Sequence, residues 1–248
     1  MSAMSVLIAT PAYNNQVCAS YVTSLVGFMA AAAREGIAVD YAHTISSSLI
    51  PIARNKLAHY FLQHTACTHL LFIDGDMTWR ADDLIRMLRT DLDVVAAICP
   101  RKAMNWDSLR ATLKADPTAS DEMLRMALAS YGTFQLLEPH ATLALDEVVE
   151  VTAIGTGIML IRRDVFERLR AASPQAAIRS GASAGEHVFF DTELTDDGVY
   201  LSEDITFCRR WRAIGGKVHA APWFRVGHIG NYEHVGDLAV SGTPVQVG

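Results

Sequence analysis

Short apolar runs, each followed by a polar turn and a longer stretch with helical spacing, recur through the first hundred positions of this 248-residue chain. Such alternation marks βα units laid on a parallel sheet. Residues 6–9 read as a buried strand, 17–35 as a helix stopped by Gly36, and 37–43 as a second strand. The next helix follows Pro51, which suits a first helical turn, and its apolar face comes from Leu57, Phe61 and Leu62. Residues 69–73 form the third strand, 82–89 a helix, and 94–99 a fourth strand ended by Pro100. From 101 to 129 the pattern loosens, and an inserted helix is the most it suggests. Residues 154–161 return to strand character around Gly155 and Gly157, followed by a helix over 164–172. The Ser-, Gly- and Ala-rich stretch 173–186 has no apolar period and reads as a loop long enough to act as a lid. A helix over 202–214, closed by Gly215 and Gly216, and short strands near Val218 and over 224–226 complete the core. The expected architecture is a single α/β domain with a mainly parallel central sheet flanked by helices.

Composition narrows the classes. Half the residues are hydrophobic and 19% are charged, the balance of a globular protein. At this length one hydrophobic core is favoured over two. A net charge of −6 removes nucleic acid or an anionic membrane as the default partner. Cys18, Cys67, Cys99 and Cys208 stand far apart and read as reduced thiols, and neither a secretory signal nor a membrane-spanning run is evident. A cytoplasmic location is expected.

The segment richest in chemistry is His69-Leu-Leu-Phe-Ile-Asp74-Gly75-Asp76. Its apolar residues make a buried strand that stops at two carboxylates separated by a glycine. In open α/β sheets ligands bind beyond the carboxyl ends of the strands, and the glycine lets the backbone turn so that the carboxylates reach a hard cation such as Mg²⁺ or Mn²⁺. With 17 aspartates in the chain an Asp-x-Asp arises by chance about once, and Asp91-Leu92-Asp93 is a second instance. That one falls between a helix and a strand, on the opposite edge of the sheet, and reads as a solvated loop. Arg54, near a helix start, could meet a phosphate or pair with a neighbouring acid. Glu203 and Asp204 follow a Ser cap, where acids favour the helix dipole whatever else they do. His228 lies between two glycines after an apolar strand and could join a metal site, with His187, His219 and His234 as alternatives. Trp79, Trp106, Trp211 and Trp223 suit either stacking on a ligand or core packing.

Taken in order, these segments resemble the GT-A glycosyltransferases, within them the family-2-like enzymes of bacteria and phages. Thr10-Pro11-Ala12-Tyr13-Asn14 resembles the family's nucleotide-contacting opening, and Arg54-Asn55 its helix start. Asp74-Gly75-Asp76 stands at its DxD position, and the segment beginning Gly155-Thr156-Gly157 resembles the strand bordering the donor sugar. Glu203-Asp204 resembles the acidic pair opening the acceptor-side helix, and His228 a C-terminal histidine that often completes the metal site. One feature departs from the family: Thr44-Ile45-Ser46-Ser47-Ser48 replaces the acidic cluster that holds the nucleoside base, leaving Asp40 and the serines as stand-ins.

The resemblance implies a metal-dependent transferase using a nucleotide diphosphate sugar, by family habit a UDP-sugar, with Mn²⁺ or Mg²⁺ held by Asp74, Asp76 and His228. Residues 1–100 would form the nucleotide-sugar half and 101–248 the acceptor half. Thr10 to Asn14, Arg54, Asn55, Asp74, Gly75 and Gly157 would contact the donor. Asp204, with Glu203 beside it, would be the catalytic base of an inverting displacement. The acceptor is open among glycan, lipid, protein and modified nucleic acid. Two other readings are a sugar nucleotidyltransferase, whose Gly-rich phosphate loop the opening lacks, and a nucleotide-sugar-binding module without catalysis.

Overall fold

The computed structural model describes residues 4–45, 48–138, 142–181 and 183–231. Its first strand, β1 (Ser5–Ala12), buries Val6 to Thr10 without interruption. Helix α1 (Ala19–Arg34) follows and ends at Gly36, whose φ of 68° is a conformation that a β-carbon would strain. The chain returns as β2 (Ala38–Ile45), parallel to β1 with Ser5 opposite Ala38. Helix α2 (Ile50–His64), with Pro51 in its first turn, leads to β3 (His69–Ile73), all five residues of which are buried. A short β4 (Met77–Trp79), α3 (Ala81–Leu88) and β5 (Val94–Ala97) complete the first half.

The stretch whose pattern loosens is an ordered insertion. β6 (Arg101–Met104) leads into α4 (Trp106–Ala115) and α5 (Asp121–Ala127), and β7 (Ala129–Ser130) pairs back onto β6. Both helices have side-chain caps, Asn105 on the Ser108 amide and Ser120 on the Met123 amide. Next come β8 (Phe134–Leu136), β9 (Val149–Ile154), β10 (Ile158–Arg162) and α6 (Arg163–Ala172). The small strands β11 (Glu193–Leu194) and β12 (Tyr200–Leu201) precede α7 (Glu203–Ala213), β13 (Val218–Ala221) and β14 (Val226–His228).

Eight strands share one sheet in the order β2-β1-β3-β10-β5-β13-β9-β8. The expected mainly parallel sheet is in fact mixed. β1 runs parallel to β2 and β3, and β5 to β13, but β10 is antiparallel to both its neighbours and β9 to both of its own. The cause lies at Gly155-Thr156-Gly157, which breaks the expected single strand over 154–161 into β9 and β10. Alternation along the strands then sorts the core into two layers. Leu7, Leu70, Phe72 and Met159 face Leu57, Phe61, Phe166 and Trp211 on the α2, α6 and α7 side. Val6, Ile8, Leu71 and Leu160 face Tyr21, Phe28, Leu84 and Leu88 on the α1 and α3 side. Among the described residues no helix is long and apolar enough to cross a membrane, and the four cysteines are unpaired.

The turn closing α7 depends on a bare backbone. A β-carbon at Gly216 would stand 2.1 Å from the Trp211 ring, which is fully buried and donates its indole N–H to the Lys217 carbonyl at 3.0 Å. Gly216→Ala is therefore expected to cost about 1–3 kcal/mol through overpacking, read as a fall in urea midpoint at unchanged m-value.

Candidate functional site

The end of β3 places the two carboxylates of Asp74-Gly75-Asp76 on different partners. Asp74 closes the strand with its amide donating to the Gly157 carbonyl at 3.0 Å, at the start of the antiparallel neighbour β10. Its carboxylate turns inward to Arg54, whose Nη2 lies 3.1 Å from Oδ1, and Arg54 Nε in turn reaches Glu203 Oε1 at 3.2 Å. Burial pushes the Asp74 carboxyl above its usual range, with Arg54 opposing the shift and the nearby charge of Asp76 adding to it. Burial also works against the Arg54 charge, but Asp74 and Glu203 outweigh it and hold the guanidinium protonated.

Asp76 turns outward, to Lys102 on one oxygen and His228 on the other. The histidine arrives because β14 pairs antiparallel with β4, setting His228 opposite Met77 and Gly227 opposite Thr78. Nδ1 of His228 lies 2.8 Å from the Pro100 carbonyl. A carbonyl only accepts, so Nδ1 carries the proton and Nε2 points at Asp76 Oδ1, 3.5 Å away. Burial opposes the Asp76 charge, yet the hydrogen bonds from His228 and Lys102 prevail and hold its pKa at about 2. The same contact raises the pKa of His228.

These groups border a cleft of about 540 Å³ lined by Pro11, Tyr13, Gln16, Asp74, Asp76 and His228, with Lys102 and Asn231 at its rim. Gly75 fits beneath because its carbonyl accepts from the Cys18 amide at 2.9 Å and a β-carbon there would meet Val17 at 3.1 Å. Of the opening segment, Pro11 and the exposed Tyr13 reach the cleft, Thr10 and Ala12 are buried beneath it, and Asn14 bends the chain at φ 55°. Thr10 hydrogen-bonds the Tyr21 hydroxyl.

Several expected residues sit elsewhere. Arg54 is buried behind the cleft and holds two acids together. Asn55 is fully used in bracing the backbone: its amide donates to the Pro51 and Phe190 carbonyls, and its oxygen accepts from the Phe189 and Phe190 amides. Gly157 lies against Cys99, where a β-carbon would stand 3.0 Å from the sulfur, so its role here is close packing at the head of β10. Asp40 accepts from the Cys67 thiol, just ahead of β3, which puts it at the edge opposite the cleft. Ser46, Ser47 and His234 lie outside the described residues.

The two described alternatives, His187 and His219, lie away from the cleft. His219 contacts the Val94 carbonyl, and His187, whose carbonyl meets the His59 ring at 2.8 Å, directly follows the stretch 173–186 expected to be a lid. That stretch closes on itself, the Ile178 amide donating to Glu186 and the Gly185 amide to Ile178, and none of its described residues lines the cleft. Asp91 and Asp93 are solvated as expected, paired with Arg162. Of the tryptophans, Trp79 and Trp211 are buried and Trp223 stacks under Arg86, while Trp106 is exposed.

Glu203 and Asp204 open α7 and divide their tasks. Glu203 is buried on Arg54. Asp204 is half-buried and forms no ion pair among the described residues; one oxygen accepts from the Ser202 hydroxyl and the other faces Gly155, where a β-carbon would stand 3.3 Å away. Neither acid lines the cleft itself.

No protein-family model matches the chain, and no curated protein matches it in sequence. Solved structures do match. A197 from STIV superposes with a TM-score of 0.50 at 16% identity, over 92% of this chain and 87% of that one. GalNAc-T7, in a structure with UDP, GalNAc and Mn²⁺, superposes with a TM-score of 0.50 at 12% identity, over 97% of this chain and 46% of that one. The fold is GT-A-like. Within this GT-A-like domain the participant that sequence reasoning missed is Lys102. The signal was present: Lys102 follows β5 and Pro100, so it leaves the sheet at the same edge as Asp76.

Proposed function

We propose that this protein is a divalent-cation-dependent glycosyltransferase that moves a sugar from a nucleotide diphosphate, UDP in the first instance, to an acceptor hydroxyl with inversion. The observation that carries the reading is the convergence of Asp76 and an oriented His228 Nε2 at the mouth of a cleft at the end of β3. Among the described residues no group of three or more His, Cys, Asp or Glu side chains is gathered to hold a metal, and Asp74 faces Arg54 instead. Two protein ligands nevertheless suit a cation that arrives with a diphosphate, because Mg²⁺-type ions are commonly held by one or two carboxylates plus substrate phosphates. Asp76 and His228 would hold it, with Asp74 contributing charge from behind. When bound, the cation neutralises the diphosphate as it departs. UDP and Mn²⁺ are the first probes because GalNAc-T7, of which this chain spans 46%, was solved with both.

The protein's own part is binding, orientation and proton transfer. Pro11 and Tyr13 border the nucleotide, and Lys102 adds a positive charge beside the phosphates. Asp204 takes the proton of the acceptor hydroxyl as the new oxygen–C1 bond forms. The bond from C1 to the phosphate oxygen breaks, and its electron pair leaves with the nucleoside diphosphate. On this reading residues 1–100 supply most of the donor side and 101–248 the acceptor side, with Lys102 and His228 crossing to the donor. The unpaired thiols favour a reducing, cytoplasmic setting.

Asp76→Asn is expected to weaken Mn²⁺-dependent binding of UDP at least about tenfold, since losing even a group that supports a metal ligand costs ~10–100-fold. Calorimetry with and without Mn²⁺ reads this, and an unchanged metal-dependent affinity would sink the assignment. Incubation with UDP- and GDP-sugars separates the classes. Release of nucleoside diphosphate supports a transferase; exchange with pyrophosphate would indicate a nucleotidyltransferase, and binding without turnover an inactive module.

A further inference from the structure

A second, larger space adjoins the donor cleft. It is a groove of about 1490 Å³ between the inserted β6–α4–α5–β7 unit and the segment through β14. Lys102, His228, Gly230 and Asn231 line both spaces, so a molecule lying in the groove ends at the donor cleft. The volume exceeds the ~300–1,000 Å³ usual for a single small ligand, and suits a chain of several rings.

The charge of the groove is opposite to that of the protein as a whole. In a chain of net charge −6, the groove is lined by Arg80, Arg101, Lys102, Arg125 and Arg225. Asp121 and Glu122 are the acids among its lining residues. Two of the cations are already matched, Arg225 by Glu122 at 2.6 Å and Lys102 by Asp76. Arg101 makes a side-chain hydrogen bond to the Ser130 hydroxyl at 3.1 Å, and no acid among the described residues pairs with its charge. Among the described residues the side chains of Arg80 and Arg125 form no ion pair or hydrogen bond. Interleaved with them are Trp106 and Tyr131, large aromatic side chains 48% and 53% exposed. A guanidinium presents a planar fork that matches a carboxylate, and an aromatic face, negative at its centre, matches the C–H face of a sugar ring.

Resting on the glycosyltransferase reading, we propose that this groove binds the acceptor and that the acceptor is a short carbohydrate chain bearing carboxylates. A nucleic acid strand fits less well. It carries a phosphate at every nucleotide, whereas only three of the groove's cations lack an ion pair among the described residues, and a chain of net charge −6 gives a polyanion no overall attraction.

The test is calorimetric titration of the intact chain with tetragalacturonic acid, with neutral maltotetraose of equal length, and with an oligothymidylate. Tetragalacturonate should bind at least about tenfold more tightly than maltotetraose. Arg80→Gln combined with Arg125→Gln should abolish that preference while leaving UDP affinity unchanged, because neither residue lines the donor cleft. Trp106→Ala should weaken both oligosaccharides together. Equal binding of the acidic and neutral chains, a preference that survives the double substitution, or tighter binding of the oligothymidylate would each overturn the proposal. A thermal melt shows that the variants are folded. Oligosaccharide affinity is read without turnover, so failure here leaves the donor reading standing, and loss of UDP binding alone would remove only the donor reading.

Discussion

Asp204→Asn should keep the donor affinity of the wild-type chain and lose about 10²–10⁴-fold in kcat, the contribution of a well-placed general base. An acceptor hydroxyl is a weak nucleophile at neutral pH, and of the two acids at the start of α7 only Asp204 is free to act on it. Its neighbour Glu203 is buried and already committed to Arg54. The Ser202 hydroxyl and the helix start fix one Asp204 oxygen, and the other faces Gly155. Gly155 donates its amide to the Thr133 carbonyl at 2.7 Å, two residues from Tyr131 in the wall of the groove. Asp204 thus stands near the segment that leads from the groove's wall, without itself lining the groove or the cleft. Steady-state kinetics with calorimetry of UDP binding separates kcat from donor affinity. Near-normal turnover in Asp204→Asn with an inactive Glu203→Gln would transfer the role to Glu203, and near-normal turnover in both would remove the pair from catalysis.

The parts of this arrangement legible in the sequence are those governed by local pattern. β3 is visible because its apolar run ends abruptly at two carboxylates, and α1 because Gly36 marks its end. His228 is legible from its place after the last apolar strand. What stayed hidden depends on pairing between distant segments. Arg54 looks like a surface or phosphate-binding group from its own neighbourhood; only the return of α7, 149 positions later, shows that it lies under the site. Asn55 likewise reads as part of a helix start until the Phe189 and Phe190 backbone is brought against it. The groove escaped notice because β6 is exposed throughout and lacks the alternation that marks a half-buried strand. The strand break at Gly155-Thr156-Gly157 was hidden by apolar residues on both sides, so the mixed pairing of the sheet could not be read from periodicity.

Arg54→Met should destabilise the protein by about 3–5 kcal/mol, the usual consequence of removing one partner from a buried ion pair. Arg54 is 3% exposed and joins Asp74, at the end of β3, to Glu203, at the start of α7. Methionine fills much of the volume and preserves contact with Phe72, whose ring lies 5.3 Å from the guanidinium carbon. What it cannot replace is the positive charge, so buried Glu203 and half-buried Asp74 are both left without their counter-charge. At ~2–4 °C per kcal/mol for a chain of this size, the melting temperature should fall by on the order of 10 °C. Arg54→Lys should lie between the two, because a single ammonium lacks the fork that reaches both acids. Adding Glu203→Gln to Arg54→Met should recover part of the loss, so that the double substitution costs less than the sum of the singles. A melting temperature within a degree or two of wild type for Arg54→Met, or strict additivity in the double variant, would show that the bridge does not hold these elements together. If it does hold them, Arg54 is a positioning residue. It fixes the start of α7, and with it Asp204, against the end of β3, from which the chain turns to Asp76. Arg54→Met should then lower kcat more than it weakens UDP binding, even at temperatures where the variant is fully folded.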